Sequence, residues 1–96
     1  MSRPDLFKFR LYVASDTPNS TQAIANLLAF CRAHLPDRHE IEIVDVLREP
    51  QRGLADGIFM TPALVRLAPL PGRKIIGTLS RLDPILNALG LNPVAA

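Results

Sequence analysis

The stretch FKFRLYV at residues 7–13 decides how the rest of the chain is interpreted. Its apolar side chains alternate with polar ones, and this period of two is typical of a β-strand. Lys8, Arg10 and Tyr12 fall on one face, and the other face carries Phe7, Phe9, Leu11 and Val13. The pattern predicts a strand with one well-buried face.

A helix and a second strand follow this first strand. The polar turn SDTPNS at residues 15–20 is rich in residues that cap helices. Apolar side chains then recur at helical spacing up to Pro36, which predicts a helix over about residues 20–35: Ile24, Leu27, Leu28, Cys31 and Leu35. Residues 39–47 alternate at first and then become apolar. This apolar end predicts burial on both faces, as in a central parallel strand.

The second half of the chain is divided by proline and glycine. Residues 50–59 are ambiguous, because Gly53 and Gly57 weaken any helix there. The run 63–67 and the stretch 73–77 read as paired strands around a Pro-Leu-Pro-Gly turn. Asp83-Pro84 is a good helix start, an apolar stripe follows it, and Gly90 suits a helix stop.

The predicted order is therefore β-α-β-(α)-β-β-α, an α/β arrangement similar to thioredoxin. With 96 residues, of which 48% are hydrophobic and 21% charged, the chain is predicted to form a single domain over residues 1–96 and not to be disordered. A net charge of +2 is too small to indicate a nucleic-acid-binding protein. No signal peptide and no membrane-spanning run is recognisable, so we expect a cytoplasmic protein without a membrane partner.

Cys31 is the one cysteine of the chain, so an intrachain disulfide is excluded. A thioredoxin-like redox pair would lie in the turn after the first strand, but residues 15–20 contain no thiol. An oxidoreductase is therefore not expected, and Cys31 is predicted to be a small buried apolar residue. The bond between Thr61 and Pro62 has two interpretations. An X-Pro bond in a folded protein is cis in only about 5–6% of cases, whereas in thioredoxin-like folds a proline at this position typically follows a cis bond.

No catalytic, cofactor or metal site is predicted. Cys31, His34 and His39 are too few for a closed structural zinc site, and both histidines are expected in solvent. The carboxylates form no acid/base pair, and the isolated glycines form no phosphate-binding loop. Asp45, in an otherwise apolar strand, is expected to pair with Arg48 or to cap a neighbouring turn.

One charge pattern has two interpretations. No acidic residue occurs between Asp56 and Asp83, whereas four basic residues fall in that interval: Arg66, Arg73, Lys74 and Arg81. They form either an ordinary solvated face or a docking surface for an acidic partner, on which the charges would raise the association rate. The pattern by itself does not separate these alternatives.

Four stretches resemble the KaiB family of small clock proteins. They are LYVASDTPNS (11–20), EIVDVLREPQ (42–51), TPALVRLAPLP (61–71) and RKIIGTLS (73–80). The resemblance implies a protein without enzymatic activity and without a cofactor. It also implies binding to a KaiC-type ATPase ring, with a KaiA-like protein or a histidine kinase as further partners. Arg66, Arg73 and Lys74 are then the predicted partner-binding residues.

The same resemblance implies a metamorphic protein. One form is a dimer or tetramer with a family-specific ground-state fold, and the other is a thioredoxin-like monomer that binds KaiC. The second half of the chain differs between the two forms. The residues assigned to this fold switch are Thr61, Pro62, Pro69, Pro71, Ala88 and Gly90.

The chain also departs from the usual KaiB pattern. The family commonly has Gly at Ser15, a basic residue at Gly57 and Asp at Thr78. Ala88 replaces a common Gly, and Ala favours a helix over Gly by about 1 kcal/mol, which predicts a larger thioredoxin-like population. These departures leave open an alternative function, a paralogue that acts in stress response or as a histidine-kinase-associated interaction module.

Overall fold

A computed structural model describes residues 6–80. Its helices and strands follow one another as β1 (Phe7–Val13), α1 (Pro18–His34), β2 (His39–Asp45), α2 (Pro50–Ala55), β3 (Ala63–Ala68) and β4 (Arg73–Ile76). This order confirms the predicted β-α-β-(α)-β-β arrangement. The ambiguous segment 50–59 begins with a short helix. The helix predicted after Asp83-Pro84 lies outside the described residues.

The strands form one sheet in the order β2-β1-β3-β4. β1 runs parallel to β2 and antiparallel to β3, and β3 runs antiparallel to β4. The prediction that residues 39–47 form a central strand is therefore wrong, because β2 lies at an edge of the described sheet and Ile43 is exposed. The central positions belong to β1 and β3, each of which pairs on both of its sides.

The first face of β1 is buried along its length, as predicted, and the second face becomes buried only at Tyr12, because Lys8 is exposed and Arg10 is half-buried. The first face of the sheet carries Phe7, Phe9, Leu11 and Val13, which pack with the inner side of α1. On the second face Tyr12 is 0% exposed and packs with Val44, Ile58, Ala63 and Val65. The predicted alternation along β1 is confirmed, and a hydrophobic core lies on each face of the sheet.

α1 begins two residues before its predicted start and ends one residue before its predicted end. Pro18 occupies the first turn, where its fixed φ angle suits a helix and a missing N–H costs nothing. Leu35 follows the helix, and its N–H donates to the carbonyl of Cys31. Cys31 is buried against the first face, as predicted, and burial raises the pKa of its thiol to about 11.

The two histidines lie around the end of α1. His34 is exposed, and its ring lies 4.8 Å from that of Phe30. His39 is half-buried, and its Nδ1 lies 2.7 Å from the carbonyl oxygen of Leu35. The prediction that both histidines lie in solvent is therefore confirmed for His34 and wrong for His39. Within residues 6–80 no helix is long and apolar enough to cross a membrane.

Candidate functional site

A groove of about 340 Å³ opens between the turn after β1, the turn after β2, and α2 with the loop that follows it. Its lining is mostly apolar and comes from four separate parts of the chain: Ala14, Val46, Leu47, Leu54, Ile58 and Phe59. Thr61 lies at its margin, directly before the buried Pro62. The peptide bond between these two residues is cis, the isomer typical of thioredoxin-like folds.

Large apolar side chains around this groove are exposed to solvent. Phe59 is 87% exposed, and the exposed group comprises Leu47, Leu54, Phe59 and Met60, here called the apolar patch. Three of these four residues line the same groove. Clustered exposed apolar groups on a soluble protein mark an interaction site more often than scattered ones do.

Asp45 holds one wall of the groove. Its carboxylate accepts hydrogen bonds from the Ser15 N–H at 3.1 Å, the Ser15 hydroxyl at 2.9 Å and the Leu47 N–H at 3.0 Å. The Leu47 N–H is the largest cause of the lowered pKa of this carboxyl. Arg48 lies 3.8 Å away. Asp45 therefore caps a turn and lies beside Arg48, as predicted, and it joins the turns that carry Ala14 and Leu47.

Asp56 holds the opposite wall. Its Oδ2 accepts a short hydrogen bond from the Tyr12 hydroxyl and a second one, at 3.0 Å, from Nη1 of Arg10. These contacts, with that of Tyr12 the largest, lower the pKa of the Asp56 carboxyl. Because Asp56 directly follows α2, the two bonds attach the end of this helix to β1.

A ladder of ion pairs continues from Arg10 across the second face. Arg10 Nε donates to Glu42 Oε1 at 2.8 Å, and Arg52 Nη2 donates to Glu42 Oε2 at 2.8 Å. Arg52 also lies 3.7 Å from Glu49. Hydrogen bonds from Arg10 and then Arg52 lower the pKa of Glu42. The ladder thus links β1, β2 and α2 beside the groove.

The structure separates the three predicted docking residues. Arg66 and Arg73 are partners in the β3–β4 register, and Val65 is the partner of Lys74. Since neighbouring residues of a strand point to opposite faces, Arg73 shares the first face with Arg66, whereas Lys74 lies on the second face with Val65. Only Lys74 is close to the groove, because a Cβ atom built on Gly57 would lie 3.2 Å from its Nζ.

Arg66 is 6% exposed, which does not fit a direct contact with a partner. Its guanidinium donates to the carbonyl of Pro71 and so supports the turn between β3 and β4. Burial, and then the charge of Arg73, lower the pKa of Arg66. The sequence pattern grouped Arg66 with exposed basic residues. The burial of a basic residue inside an apolar strand becomes visible only when the fold is known.

Pro69 and Pro71 lie in this same turn, and the peptide bonds before them, from Ala68 and Leu70, are both cis. Thr61 and Pro62 lie directly before β3. Ala88 and Gly90, the other two residues assigned to a fold switch, lie outside the described residues.

A family model described as the KaiB domain matches residues 10–91. The chain belongs to the KaiB family. The circadian clock protein KaiB3 of Synechocystis is 39% identical over 84 residues, which are 88% of this chain and 82% of that protein. The circadian clock oscillator protein KaiB of Synechococcus elongatus is 37% identical over 91 residues, which are 95% of this chain and 89% of that protein.

Solved structures confirm the thioredoxin-like arrangement. The N-terminal domain of SasA from Synechococcus elongatus aligns with a TM-score of 0.75 at 17% identity, covering 100% of this chain and 94% of that domain. Mitochondrial thioredoxin 3 of Saccharomyces cerevisiae aligns with a TM-score of 0.68 at 16% identity, covering 91% of this chain and 77% of that protein. At these identities the likeness concerns the fold.

The backbone at Ser15 adopts an uncommon conformation, with a φ of 50° in the left-handed region that glycine favours. The N–H and hydroxyl of Ser15 both donate to Asp45, and these bonds hold the conformation. The Ser15 side chain therefore helps to attach the turn after β1 to the turn after β2 at one side of the groove.

The sequence analysis did not predict the groove. Its lining residues come from four parts of the chain, and none of them has a chemical motif. One signal was present, because Ile58, Phe59 and Met60 form an apolar run in a segment with weak helical pattern. Such a run directly before Thr61-Pro62 is a candidate for exposure, and Phe59 and Met60 are exposed in the structure.

Proposed function

We propose that this chain is a non-enzymatic clock or clock-like regulatory protein that binds a KaiC-type ATPase ring. The observation that supports this most is the KaiB-domain match over residues 10–91, which indicates the class of partner. The apolar patch around the groove supports it further, because it is the surface that a protein partner would cover.

The groove lacks the groups that thioredoxin chemistry needs. The single cysteine of the chain, Cys31, lies in α1 and is buried against the first face of the sheet. The turn after β1, where a dithiol would act, is built from Ala14, Ser15 and Asp16. This favours a binding role over a redox role for the same fold.

Binding to a purified KaiC-type ring from the same organism tests the proposal. We expect Phe59→Ser to weaken the affinity about tenfold or more, about 1.4 kcal/mol, because a central apolar anchor is truncated. Leu70→Ser is the matched control, since Leu70 is 82% exposed but lies in the β3–β4 turn. No binding by the unaltered chain, or equal effects of both variants, would contradict the proposal.

We also propose that the chain is metamorphic, with a dimeric or tetrameric ground-state fold beside the thioredoxin-like one. The resemblance to KaiB supports this, and Thr61, Pro62, Pro69, Pro71, Ala88 and Gly90 are the residues that we assign to the change. Mass measurement of the free protein across concentrations tests the oligomeric part. A monomer at all concentrations, with a single set of NMR signals, would contradict a second populated fold.

A further inference from the structure

The loop that carries Phe59 depends on how the end of α2 is held. α2 has 6 residues, Pro50–Ala55, and a helix this short is not stable without tertiary contacts. Phe59 itself is exposed and contributes little packing. The position of this loop must therefore be set by groups at the end of α2 and beneath it.

Besides Arg10, whose Nη1 donates to Asp56 at 3.0 Å, Tyr12 is the side chain of β1 that reaches this point. Its ring is fully buried among Val44, Ile58 and Val65 on the second face. Its hydroxyl donates to the Asp56 carboxylate, and the hydroxyl oxygen also lies 3.1 Å from the carbonyl oxygen of Arg52. One phenol thus contacts the end of α2 at two places.

We propose that Tyr12 is a positioning residue for the groove, whose hydroxyl holds Asp56 and thereby sets the loop from Gly57 to Met60 and the presentation of Phe59. That the groove binds a KaiC-type ring rests on the proposed function. The positioning itself concerns the free protein and is measured there.

Tyr12→Phe isolates the hydroxyl, because the buried ring and its packing are retained. We expect amide hydrogen exchange at residues 56–60 to become about tenfold to a hundredfold faster, the effect of losing one hydrogen bond to a charged group. Amides in the centre of β1 should keep their exchange rates. If the Tyr12 hydroxyl only stabilised the fold as a whole, Tyr12→Phe would instead accelerate exchange throughout the sheet.

Cys31→Ala is the matched control. It also removes a buried group, but from the first face of the sheet, away from Asp56. Its faster exchange should be confined to α1 and the strands beneath it. Unchanged exchange at residues 56–60 in Tyr12→Phe, or the same acceleration there in Cys31→Ala, would overturn the proposal.

A spectroscopic measurement follows the hydrogen bond between Tyr12 and Asp56 directly, since the chain has one Tyr and no Trp. The near-ultraviolet absorbance of phenolate then reports Tyr12 alone. Asp56→Asn removes the carboxylate that favours the neutral phenol, so Tyr12 should ionise at a lower pH than in the unaltered chain while circular dichroism shows both folded. Identical titrations would show that Asp56 does not hold the hydroxyl and would overturn the proposal.

Binding to the KaiC-type ring separates this proposal from the proposed function. We expect Tyr12→Phe to raise the dissociation rate about fivefold, since a loosened loop must be ordered again in the complex. Faster loop exchange with unchanged binding would overturn the part of the proposal that concerns the presentation of Phe59 to the ring. If the unaltered chain does not bind the ring, the proposed function fails, whereas the exchange and absorbance measurements still decide whether Tyr12 sets the loop.

Discussion

At the scale of single residues, carboxylates of low pKa surround the groove. Asp56 is held by the Tyr12 hydroxyl and by Arg10, Glu42 by Arg10 and Arg52, and Asp45 by backbone and side-chain donors. In each case a hydrogen bond is the largest cause of the lowered pKa. Each group therefore favours the folded state when it is ionised.

The first prediction concerns acid stability. A carboxyl whose pKa is lowered by folding stabilises the protein above its unfolded pKa of about 4, and this stabilisation is lost as the pH falls through the folded pKa. We expect the free energy of unfolding in urea to fall as the pH decreases below about 4. Asp56→Asn should make this decrease shallower. Parallel pH profiles for the two proteins would contradict the assignment.

The second prediction concerns Cys31, whose thiol has a pKa of about 11 because it is buried. At neutral pH the reactive thiolate is a very small fraction, and access is blocked by the packing of α1. We expect slow labelling by thiol reagents in buffer and fast labelling in urea. Fast and complete labelling of the folded protein would contradict the burial of Cys31.

At the scale of elements, α2 ends in a motif that requires a left-handed residue. The Gly57 N–H donates to the Leu54 carbonyl at 3.1 Å, and the Ile58 N–H donates to the Gly53 carbonyl at 2.8 Å. This pair of bonds is the Schellman arrangement, and Gly57 adopts a φ of 68° within it. The motif turns the chain from α2 into the loop that carries Phe59.

The third prediction tests this helix end. Gly57→Ala should lower the free energy of unfolding by about 1–2 kcal/mol, because a Cβ atom disfavours the left-handed conformation. Gly72→Ala is the control, since no positive φ is found at Gly72 and a Cβ there would lie 3.4 Å from the Arg66 carbonyl oxygen. Gly72→Ala should change the free energy of unfolding by no more than about 0.5 kcal/mol. Equal unfolding midpoints for both variants in urea would contradict the role of Gly57.

At the scale of the whole molecule, the sheet separates charges that are adjacent in sequence. Arg73 and Lys74 are both exposed but lie on opposite faces. If a ring docks on the groove as proposed, Lys74 lies on the docking face and Arg73 on the opposite one. The acid-free interval of the sequence is thus not one continuous basic surface in this fold.

The fourth prediction follows from this separation. Lys74→Glu should lower the association rate with a KaiC-type ring about tenfold at low ionic strength, and less at high ionic strength, because the effect is electrostatic steering. Arg73→Glu makes the same charge change on the other face and should have a smaller effect. Equal effects of the two variants in stopped-flow binding would place the docking surface elsewhere.

The fifth prediction concerns the resting fold. Asp83-Pro84 as a helix start and Ala88 in place of a common Gly favour a helix by about 1 kcal/mol, which is about fivefold in a two-state equilibrium. We expect helical NMR secondary shifts for residues 84–89 in the free protein. Strand-like shifts there, together with a tetrameric mass, would show that the alternative fold is favoured.

The sequence by itself determined the elements and the family. β1, α1, β3 and β4 were predicted within a few residues because apolar periodicity and Pro36 are local signals that tertiary packing did not override. The motifs at 11–20, 42–51 and 61–80 were sufficient for the KaiB resemblance. Burial of Cys31 followed from its place on the apolar side of a helix.

Only the tertiary structure decided which strands are central and where the groove lies. Strand order depends on pairing between distant segments, so the apolar end of β2 could not show that β1 and β3 would take the middle of the sheet. The burial of Arg66 and the clamp between Tyr12 and Asp56 likewise join residues far apart in sequence. Side-chain periodicity reports which face of an element is apolar, whereas the groove exists only because folding brings four separate segments together.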